Sequence, residues 1–446
     1  MRLILLFCIG LIVGKLAGYS SKKLGFNGSN IPGKILNYLY KNALQKLALQ
    51  VETVVLVTGT NGKTTTCNLV SSIFKSNKIE YISNIEGSNL LEGITSAFIK
   101  KSNMRGRIQG VKVAVLEVDE LTMTEVLKQI QPQLIVVTNI FRDQLDRYGE
   151  INTLISKVST AIHSSDAYLL LNGNDPYSGH FTKQKNKTMY FGLKENIGNF
   201  HQSNIRDAIY CCCGRLLKYT HTHYGHLGKY YCSCSMSSPV LDFEVTSIQS
   251  QNNLTITIQN QSYTSNLKGE YNAYNMLTAI KTGEFLGFSY EQIHKGLREY
   301  HPSNGRMQNF RIAQNIYHLN LAKNPQGMNC TIDYCIQNKN ITQYVFILND
   351  LLADGKDISW IWDVDYELLA DSNVNHIICA GTRAYDLAVR LKYAGISVNR
   401  IKVISNISAA IQNSIAAGNE TSVISNYTGL NTARQFLSTK GTVSPS

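Results

Sequence analysis

A glycine-rich loop near the start of the chain carries the residues best suited to phosphate chemistry, and it reads Gly59-Thr60-Asn61-Gly62-Lys63-Thr64. Glycines at 59 and 62 allow backbone angles at which consecutive N–H groups point at one anion, and Lys63 adds a positive charge. Thr64 supplies a hydroxyl of the kind that binds magnesium beside nucleotide phosphates. The loop therefore predicts a nucleotide phosphate site, with Thr65 completing it at the start of the next element.

The elements around this loop have the order that a phosphate site needs. Residues 54–57 form an apolar run typical of a buried strand, and residues 65–74 place apolar side chains on one helical face. A helix N-terminus would then face the bound phosphate. Val57 stands where the general G-x-x-x-x-G-K-[ST] pattern has its first glycine. We interpret the loop as a shortened form of that pattern, with an ordinary strand-to-helix turn as the less favoured alternative.

Two more apolar runs end in polar clusters. Residues 111–118 lead into the acidic cluster 117–120, and residues 134–137 lead into Thr138-Asn139. In a parallel α/β sheet these ends share an edge with the phosphate loop. Magnesium prefers few carboxylates together with phosphate oxygens, so Thr64 and Glu117 are the predicted magnesium ligands; a solvated helix cap is the alternative for Glu117. Weaker candidates for ligand contact are Asn84, Glu86 and Asn89.

Composition favours a folded, multidomain protein, since 43% of the 446 residues are apolar. The formal net charge of +12 favours polyanions, which leaves nucleotides, nucleic acid and an anionic membrane surface open. Residues 3–13 form an apolar run, followed by Lys15, that is shorter than the roughly 20 residues of a membrane-spanning helix. We expect an interfacial or docked helix and a cytoplasmic protein, with association at the inner face of the cell membrane left open.

Five of the ten cysteines fall between residues 211 and 234. This clustering is typical of a metal site in a reducing compartment, whereas free thiols are the other interpretation. Four thiolates on two tight turns would make a closed tetrahedral zinc site that stabilises a small ribbon. The predicted zinc ligands are Cys211, Cys213, Cys232 and Cys234. The substitutes kept open are Cys212, His221, His223 and His226.

The motifs together resemble the central ATPase domain of the Mur ligases. The matching stretches are 58–65, Glu117, 138–139, 143–147, 172–176, 269–275 and 305–308. The resemblance covers most of the chain and implies ATP and Mg²⁺ as cofactors and an acyl phosphate as the activated species. It also implies that Lys63 and Glu117 act in catalysis. Residues implied to lie near the nucleotide or acyl phosphate are Asn272, Asn275 and Arg306. Gln144 stands where amino-acid-adding members commonly have a metal-binding histidine, so a second metal is not implied.

Two further features resemble the MurT family of synthetase subunits. One is the cysteine-rich insert, although its first turn is one residue shorter than the Cys-x-x-Cys-Gly usual there. The other is the stretch 349–365, with five acids and both tryptophans. In that family the acid at the position of Asp357 is thought to orient the histidine of a Cys-His glutaminase in a GatD-type partner. The resemblance implies amidation of the D-glutamate α-carboxylate of lipid II with ammonia from that partner.

We predict an α/β protein of four segments: a lead-in over 1–48, a Mur-ligase-like ATP-binding domain over 49–305, a zinc ribbon inserted at 208–238, and a second α/β domain over 306–446. In the last segment we expect strands at 344–348, 376–379, 401–404 and 422–424 and a helix at 384–394. No cysteine lies in a Gly-x-Cys-x-Gly nucleophile elbow, so ammonia from glutamine requires another subunit.

Two alternatives remain at this point. The first is a Mur- or folylpolyglutamate-type ligase that adds a whole amino acid, against which the cysteine insert and the 349–365 stretch argue. The second is a basic zinc-ribbon ATPase that acts on nucleic acid. Only Arg215, Lys218 and Lys229 lie near the ribbon as cations, so no nucleic-acid partner is predicted.

Overall fold

The computed structural model describes residues 2–23, 28–84, 88–143, 151–183, 187–201, 206–251, 253–302, 305–370 and 372–443. Within these ranges the chain forms an N-terminal group of helices, a nine-stranded sheet, a seven-stranded sheet and a separate two-stranded hairpin. The predicted α/β architecture with two sheet-containing units is what the structure shows.

Three helices precede the first strand: α1 (Arg2–Lys23), α2 (Ile31–Leu39) and α3 (Ala43–Ala48). Helix α1 docks on α2 along small residues, since a Cβ at Gly14 would lie only 2.9 Å from the carbonyl oxygen of Pro32. Phe7 and Leu11 of α1 are buried in the same core as α2 and α3. Among the described residues, no helix combines the length and the apolar character needed to cross a membrane.

The first sheet carries the phosphate loop. Its strands are β1 (Thr53–Thr58), β2 (Tyr81–Ile82), β3 (Val113–Glu117), β4 (Leu134–Val137), β5 (Tyr168–Asn172), β6 (Thr188–Leu193), β9 (Phe243–Gln249), β10 (Leu254–Ile258) and β11 (Gln261–Ser265). They lie in the order β11-β10-β9-β6-β5-β4-β1-β3-β2. The pairs from β2 to β9 are parallel, and β10 and β11 add an antiparallel edge.

Helices cover both faces of this sheet: α4 (Lys63–Ser76), α5 (Leu91–Lys101), α6 (Met123–Leu127), α7 (Ile151–His163), α8 (Asn272–Phe285) and α9 (Tyr290–Arg298). Strand β1 shows why, because Val54 and Leu56 enter one hydrophobic core while Val55 and Val57 enter the other. A strand buried on both faces reads as a continuous apolar run, which is the pattern seen at 54–57. Parallel strands bring their carboxyl ends to one edge, and the loop lies there.

The second sheet contains β12 (Gln308–Ile312), β13 (Asn315–Leu321), β14 (Ile341–Ile347), β15 (His376–Ala380), β16 (Ile401–Val403), β17 (Glu420–Ser425) and β18 (Thr442–Val443), in the order β16-β15-β14-β17-β13-β12-β18. Its helices are α10 (Pro325–Gln337), α11 (Ala384–Tyr393), α12 (Ile407–Ala417) and α13 (Tyr427–Lys440). Four strands lie within three residues of their predicted bounds, whereas β12, β13 and β18 were not predicted. Strand β12, the first of this sheet along the chain, begins at Gln308, and the domain boundary at 305 and 306 stays a prediction.

The chain leaves the first sheet after β6 and returns at β9, and the hairpin of β7 (Lys218–Tyr224) and β8 (Leu227–Tyr231) lies between them. Because β6 and β9 pair in parallel, the chain between them must cross over, and the cysteine-rich insert occupies that crossover. Short 3-10 helices lie at Pro176–Phe181, Ser359–Asp363, Tyr366–Leu369 and Val398–Arg400.

Candidate active site

The phosphate loop joins the end of β1 to the start of α4. Gly59 and Gly62 have φ angles of +119° and +88°, in the left-handed region that favours glycine. A Cβ added at Gly59 would lie 2.4 Å from the Thr138 hydroxyl, and one at Gly62 would lie 2.1 Å from the side-chain oxygen of Asn275. Both conformation and close packing therefore require glycine at these two positions.

The residues that follow β4 hold the loop in shape. The N–H of Thr60 donates to the carbonyl of Asn139 at 2.7 Å, and the N–H of Asn61 donates to the Asn139 side chain at 2.9 Å. The Thr138 hydroxyl donates to the carbonyl of Asn61 at 2.7 Å. The Thr60 hydroxyl accepts from the N–H of Phe141 at 2.9 Å. Thr138 and Asn139 thus position the loop amides.

Lys63 lies buried in the first turn of α4 and pairs with Glu120. Its Nζ is 3.0 Å from Oε1 of Glu120, with 7% and 3% of the two side chains exposed. Nζ also donates to two carbonyl oxygens of the loop. Burial alone would lower the pKa of Lys63, but the carboxylates of Glu120, Glu117 and Asp119 outweigh it and raise the pKa above its ordinary value. Lys63 is therefore a permanent cation at the base of the loop.

Glu120 is a site residue that the sequence analysis did not single out. Burial raises its pKa, while Lys63 acts in the opposite direction. Its second oxygen, Oε2, is buried and accepts no hydrogen bond from the residues that the structure describes. The sequence feature that could have identified Glu120 is its place in the acidic cluster, three residues after Glu117. Its burial beside Lys63 could not be read from that spacing.

Glu117 ends β3, and two asparagines fix it in place. Its N–H donates to the side-chain oxygen of Asn84 at 2.9 Å, and Nδ2 of Asn84 donates to the Glu117 carbonyl at 2.8 Å. Nδ2 of Asn89 donates to Oε1 of Glu117 at 3.2 Å. Asn84 and Asn89 thus hold Glu117 in position. Glu86 lies outside the described residues.

The donor set around the loop fits a magnesium ion. Thr64 offers a hydroxyl, and Glu117, Asp119 and Glu120 together exceed the single positive charge of Lys63. The buried Oε2 of Glu120 accepts no hydrogen bond from the described residues, so a nearby cation would stabilise it. Magnesium takes few carboxylates and completes its shell with water and phosphate oxygens. The chemistry of the side chains is therefore compatible with the predicted ion.

Residues from the second unit reach the loop. Nη2 of Arg306 donates to the Thr64 hydroxyl at 3.4 Å, and Nδ2 of Asn324 donates to the side-chain oxygen of Asn61 at 3.1 Å. Two ion pairs also join the two units. Lys323 pairs with Asp143, and Arg142 pairs with Asp363 at 3.1 Å. Arg306 thus lies beside the phosphate loop, while its contact with phosphates stays a prediction. Asn324, buried at the N-cap of α10, was not singled out in advance.

Asn272 and Asn275 lie in the first turn of α8, against the loop. Nδ2 of Asn275 donates to Oδ1 of Asn272 at 2.7 Å, and Nδ2 of Asn272 donates to the carbonyl of Lys268. The Asn275 oxygen is the atom that closely approaches Gly62. Gln144 and the rest of the 144–147 stretch lie outside the described residues.

Next to this region is a cleft between the two units. Its walls include the aromatic side chains Phe200, Tyr224, Tyr271 and Tyr334, together with Gln326, Asn329 and Glu270. Tyr271 directly precedes Asn272, so the cleft adjoins the phosphate loop. A planar apolar ring with polar edges would match these walls.

The cysteine-rich insert brings four sulfurs together. The Sγ atoms of Cys211, Cys213, Cys232 and Cys234 all lie within 4.8 Å of one another. Their two turns have the same backbone form: the N–H of Gly214 donates to the carbonyl of Cys211, and that of Ser235 donates to the carbonyl of Cys232. Gly214 and Ser235 both have positive φ, at 80° and 72°. The one-residue-shorter first turn therefore still aims two thiols inward.

Two of the three histidines kept as substitute ligands, His223 and His226, serve a different role. His223 is buried and bonds through its two ring nitrogens to the Tyr274 hydroxyl and the Lys194 carbonyl, both at 3.0 Å. Burial lowers the pKa of His223 to about 4. His226 is fully buried, 3.3 Å from Asp175. Neither belongs to the sulfur cluster, and both attach the tip of the hairpin to the nucleotide-binding unit.

Four of the five acids in the 349–365 stretch are tied to other elements: Asp350 to Thr382 and Arg383, Asp354 to Thr428, Asp363 to Arg142, and Asp365 to Asn329. Asp357 differs, because the bond described for its side chain is local. It accepts from the N–H of Ser359, the first residue of the following 3-10 helix, at 2.8 Å. The structure thus does not bring Asp357 to the phosphate loop, and its carboxylate remains part-exposed on the second unit.

The two sheet-containing units, with a phosphate loop closed from the second unit by Arg306 and Asn324, define a ligase of the Mur class. Residues 57–224 match the family model described as the Mur ligase middle domain. A pseudomurein peptide ligase type C from Methanothermus fervidus superposes with a TM-score of 0.68 at 22% identity, over 87% of this chain and 79% of that one. The MurF ligase from Thermotoga maritima in complex with ADP gives 0.61 at 13% identity, over 92% and 84%.

The particular branch follows from the remaining matches. Residues 321–430 match the model described as MurT ligase C-terminal. The chain is 39% identical over 419 residues to the MurT subunit of lipid II isoglutaminyl synthase (glutamine-hydrolyzing) from Staphylococcus aureus strain N315, covering 94% of each. The corresponding subunit from Streptococcus pneumoniae strain ATCC BAA-255 / R6 is 35% identical, over 91% of this chain and 90% of that subunit. The chain belongs to the MurT family.

Proposed function

We propose that this chain is the synthetase subunit of a lipid II isoglutaminyl synthase, an ATP-dependent carbon–nitrogen ligase of peptidoglycan synthesis. The observation that carries the proposal is the joining, in one chain, of a Mur-type phosphate site to a second unit that resembles MurT over its length. The reaction is amidation of the D-glutamate α-carboxylate of lipid II. The product is D-isoglutamine at that position of the lipid-linked peptide.

The proposed chemistry has two steps. The substrate carboxylate attacks the γ-phosphorus of ATP, giving an acyl phosphate and ADP. Ammonia then attacks the acyl carbon, phosphate leaves, and the nitrogen loses a proton to give the amide. Lys63 and those loop amides between Gly59 and Thr64 that are not bonded to Asn139 would hold the β- and γ-phosphates through both charge and hydrogen bonds. A magnesium ion held by Thr64 and Glu117 would neutralise charge on the transferred phosphoryl group.

The aromatic cleft is the proposed place of the adenine. Tyr271 leads into α8, whose Asn275 lies against the loop, so one helix connects the cleft with the phosphate loop. Arg306, bonded to Thr64, would then lie beside the γ-phosphate and the acyl phosphate. Thr65 completes the first turn of α4 below them.

The second unit would receive the glutaminase. Asp357 is the acid in its stretch without a described tie to another element, which leaves it able to reach a partner's histidine. Close by in the fold, Trp362 packs on Tyr393 with ring centroids 5.7 Å apart. Tyr385, Val389 and Tyr393 lie at successive fourth positions of α11, and 71%, 48% and 74% of them are exposed. Exposed aromatic side chains on one helix face are typical of a protein interface. We assign this surface to a GatD-type partner.

Direct turnover measurements test the proposal. The purified chain is given lipid II, ATP and magnesium with ammonium chloride, with free amino acids, or with glutamine in the presence and absence of a GatD-type glutaminase. We expect an amide product with ammonium alone and with glutamine only after the glutaminase is added. Product formed with a free amino acid and none with ammonium would establish the whole-amino-acid ligase instead. Stimulation of ATP hydrolysis by nucleic acid, with no response to lipid II, would favour the nucleic-acid alternative.

We further propose that the four-cysteine cluster holds a structural zinc ion. Four sulfurs within 4.8 Å can surround one ion, and no position among them is left for a substrate. The insert has only the short hairpin β7–β8 as regular structure, so a metal would provide stability that its small core does not. The ribbon tip contributes Tyr224 and Gly225 to the aromatic cleft, which connects the metal site with nucleotide binding.

The zinc content of two cysteine variants tests this assignment. Replacing Cys213 with serine should remove most of the zinc that purifies with the chain, because three thiolates do not close a tetrahedral structural site. Replacing Cys212 with serine should leave the content near one ion per chain, since its Sγ lies 3.8 Å from Cys211 yet outside the cluster. Elemental analysis of both variants measures this. Equal zinc in the Cys213 variant and the wild type would refute the assigned ligand set.

We place the protein in the cytoplasm, where ATP is available, and at the inner membrane face, where a lipid-linked substrate is presented. The support is the proposed reaction itself.

A further inference from the structure

Helix α1 is apolar on two opposite faces. One face, with Phe7 and Leu11, is buried against α2 and α3. The other is exposed: between 38% and 63% of each side chain is accessible for Leu5, Ile9, Ile12, Val13, Leu16 and Tyr19. Steps of three and four residues place these six on one side of the helix, opposite the docked face. Contiguous exposed apolar surface of this kind is typical of a binding surface and uncommon elsewhere on soluble domains.

The N-terminal segment that carries this surface is strongly basic in sequence. The first 51 residues contain no aspartate or glutamate, and they contain seven cationic residues: Arg2, Lys15, Lys22, Lys23, Lys34, Lys41 and Lys46. Their formal charge of +7 is more than half of the +12 of the whole chain. At the end of the helix, Nζ of Lys23 lies 5.5 Å from the ring centroid of Tyr19. A tyrosine beside a lysine at the margin of an apolar face is typical of the membrane–water interface.

A neighbouring turn packs beside the docked face of α1 and carries further apolar and cationic side chains. Nζ of Lys15 donates to the carbonyl of Ser102, and Gly106 packs against Phe7. This contact places the turn 103–107 beside α1. The turn carries Met104, which is 51% exposed, with exposed arginines on either side of Gly106. Apolar and cationic groups therefore continue beyond the helix.

We propose that the exposed face of α1 docks on an anionic lipid bilayer, with the helix lying in the plane of the interface. Apolar side chains would enter the headgroup region while the cations contact acidic lipids. The helix does not cross the membrane, in agreement with the absence of a spanning helix among the described residues. A second copy of this chain is a poorer occupant, because a symmetric contact would bring two segments of charge +7 together.

This docking rests on the exposed side chains and the charge of the N-terminal segment, and it does not require the proposed amidation. If both hold, the chain would meet a lipid-linked substrate at the surface where that substrate resides. A membrane contact through α1 would also leave the 349–365 stretch, which belongs to the other unit, available to a soluble partner.

Vesicle flotation of the full chain, alone and with the glutaminase partner, tests the proposal. The probes are large vesicles of neutral phosphatidylcholine with or without about 30% phosphatidylglycerol, a fraction comparable to an anionic leaflet. We expect binding to the anionic vesicles and much weaker binding to the neutral ones. Raising the salt to about 0.5 M should weaken it, because screening removes the electrostatic part. The double variant Leu5→Gln/Leu16→Gln should bind at least about tenfold more weakly.

The matched control is Val240→Ser, which changes an apolar residue that is 91% exposed outside α1 and should bind as the wild type does. Circular dichroism and ATP hydrolysis verify that each variant is folded. Wild-type affinity in the Leu5/Leu16 variant would overturn the proposal. So would a dimer seen by light scattering that this variant dissociates, combined with no vesicle binding by the wild type. Neither result would bear on amidation, which is measured separately with ammonium.

Discussion

Replacing Lys63 with methionine should lower the rate of amidation at least about a hundredfold, with either ammonium or glutamine as nitrogen source. The loss should be common to both because Lys63 acts on phosphoryl transfer, before the nitrogen source matters. Its Nζ donates to a carbonyl of the phosphate loop, and nearby carboxylates keep it protonated. Methionine retains the length and removes the charge. Initial rates of ADP release and amide formation measure the effect.

A second variant separates catalysis from folding. Lys63→Met alone leaves Glu120 buried without its partner, and breaking one side of a buried ion pair costs about 3–5 kcal/mol. The double variant Lys63→Met/Glu120→Gln removes both charges and should unfold within a few degrees of the wild type. It should nevertheless remain inactive. Recovery of activity in the double variant would mean that Lys63 serves to neutralise Glu120 and has no direct role at the phosphates.

Much of the nucleotide unit could be predicted because its requirements are local. A strand buried on both faces needs a continuous apolar run, and residues 54–57 supply one. The left-handed loop needs glycine at fixed points, and both glycines are present. Glu117 could be selected because parallel strands end on one edge. These are statements about period, backbone conformation and topology, which a sequence displays directly.

The missed residues depend on contacts between distant segments. Asn324 is 263 positions from Asn61 in the sequence, and no local sequence pattern predicts the hydrogen bond between them. Glu120 and Asp119 look equivalent in the sequence, yet only packing decides which one pairs with Lys63. The histidines near the cysteines were candidate ligands by proximity in sequence, but burial against Tyr274 and Asp175 directs two of them into the nucleotide-binding unit.

The unpredicted strands have a similar explanation. β12 and β13 lie toward one edge of the second sheet, and asparagine, glutamine and histidine interrupt their apolar residues. His318 in β13 is compensated by Asn309 and Glu420, at 2.9 Å and 2.7 Å. Strands whose polar groups are satisfied by partners elsewhere give a weak sequence signal. The central strands β14 and β15 contain longer apolar runs, at 344–348 and 377–380, and were found.

The two units divide the proposed reaction between them. The first holds the nucleotide, and the second both closes the phosphate loop and presents Asp357. The connection runs through α10, whose N-cap Asn324 contacts Asn61 and whose Asn329 binds Asp365. Arg142 adds a link from the loop after β4 to Asp363, in the same stretch as Asp357. Side chains of α10, together with Arg142, therefore connect the proposed ATP site with the segment that carries Asp357.

Replacing Asp357 with asparagine should abolish glutamine-dependent amidation and leave ammonium-dependent amidation within about twofold, because a residue that orients another subunit's histidine acts only on glutamine hydrolysis. Loss of such an orienting carboxylate lowers turnover by about 10⁴ in triad enzymes. Asparagine can still accept the N–H of Ser359, so the local turn should persist. Rates with each nitrogen source, at saturating partner, measure the two activities.

Asp350→Asn is the matched control for Asp357→Asn. It removes one charge from the same stretch, but Asp350 is engaged by the Thr382 hydroxyl at 2.9 Å and by Arg383 at 3.5 Å. We expect it to retain both activities, with at most a small loss of stability, since exposed ion pairs contribute about 0–1 kcal/mol. Co-purification shows whether each variant still binds the glutaminase. If Asp357→Asn binds the partner and loses both activities equally, the residue acts on the ATP site. If it retains both, the partner's triad is completed elsewhere.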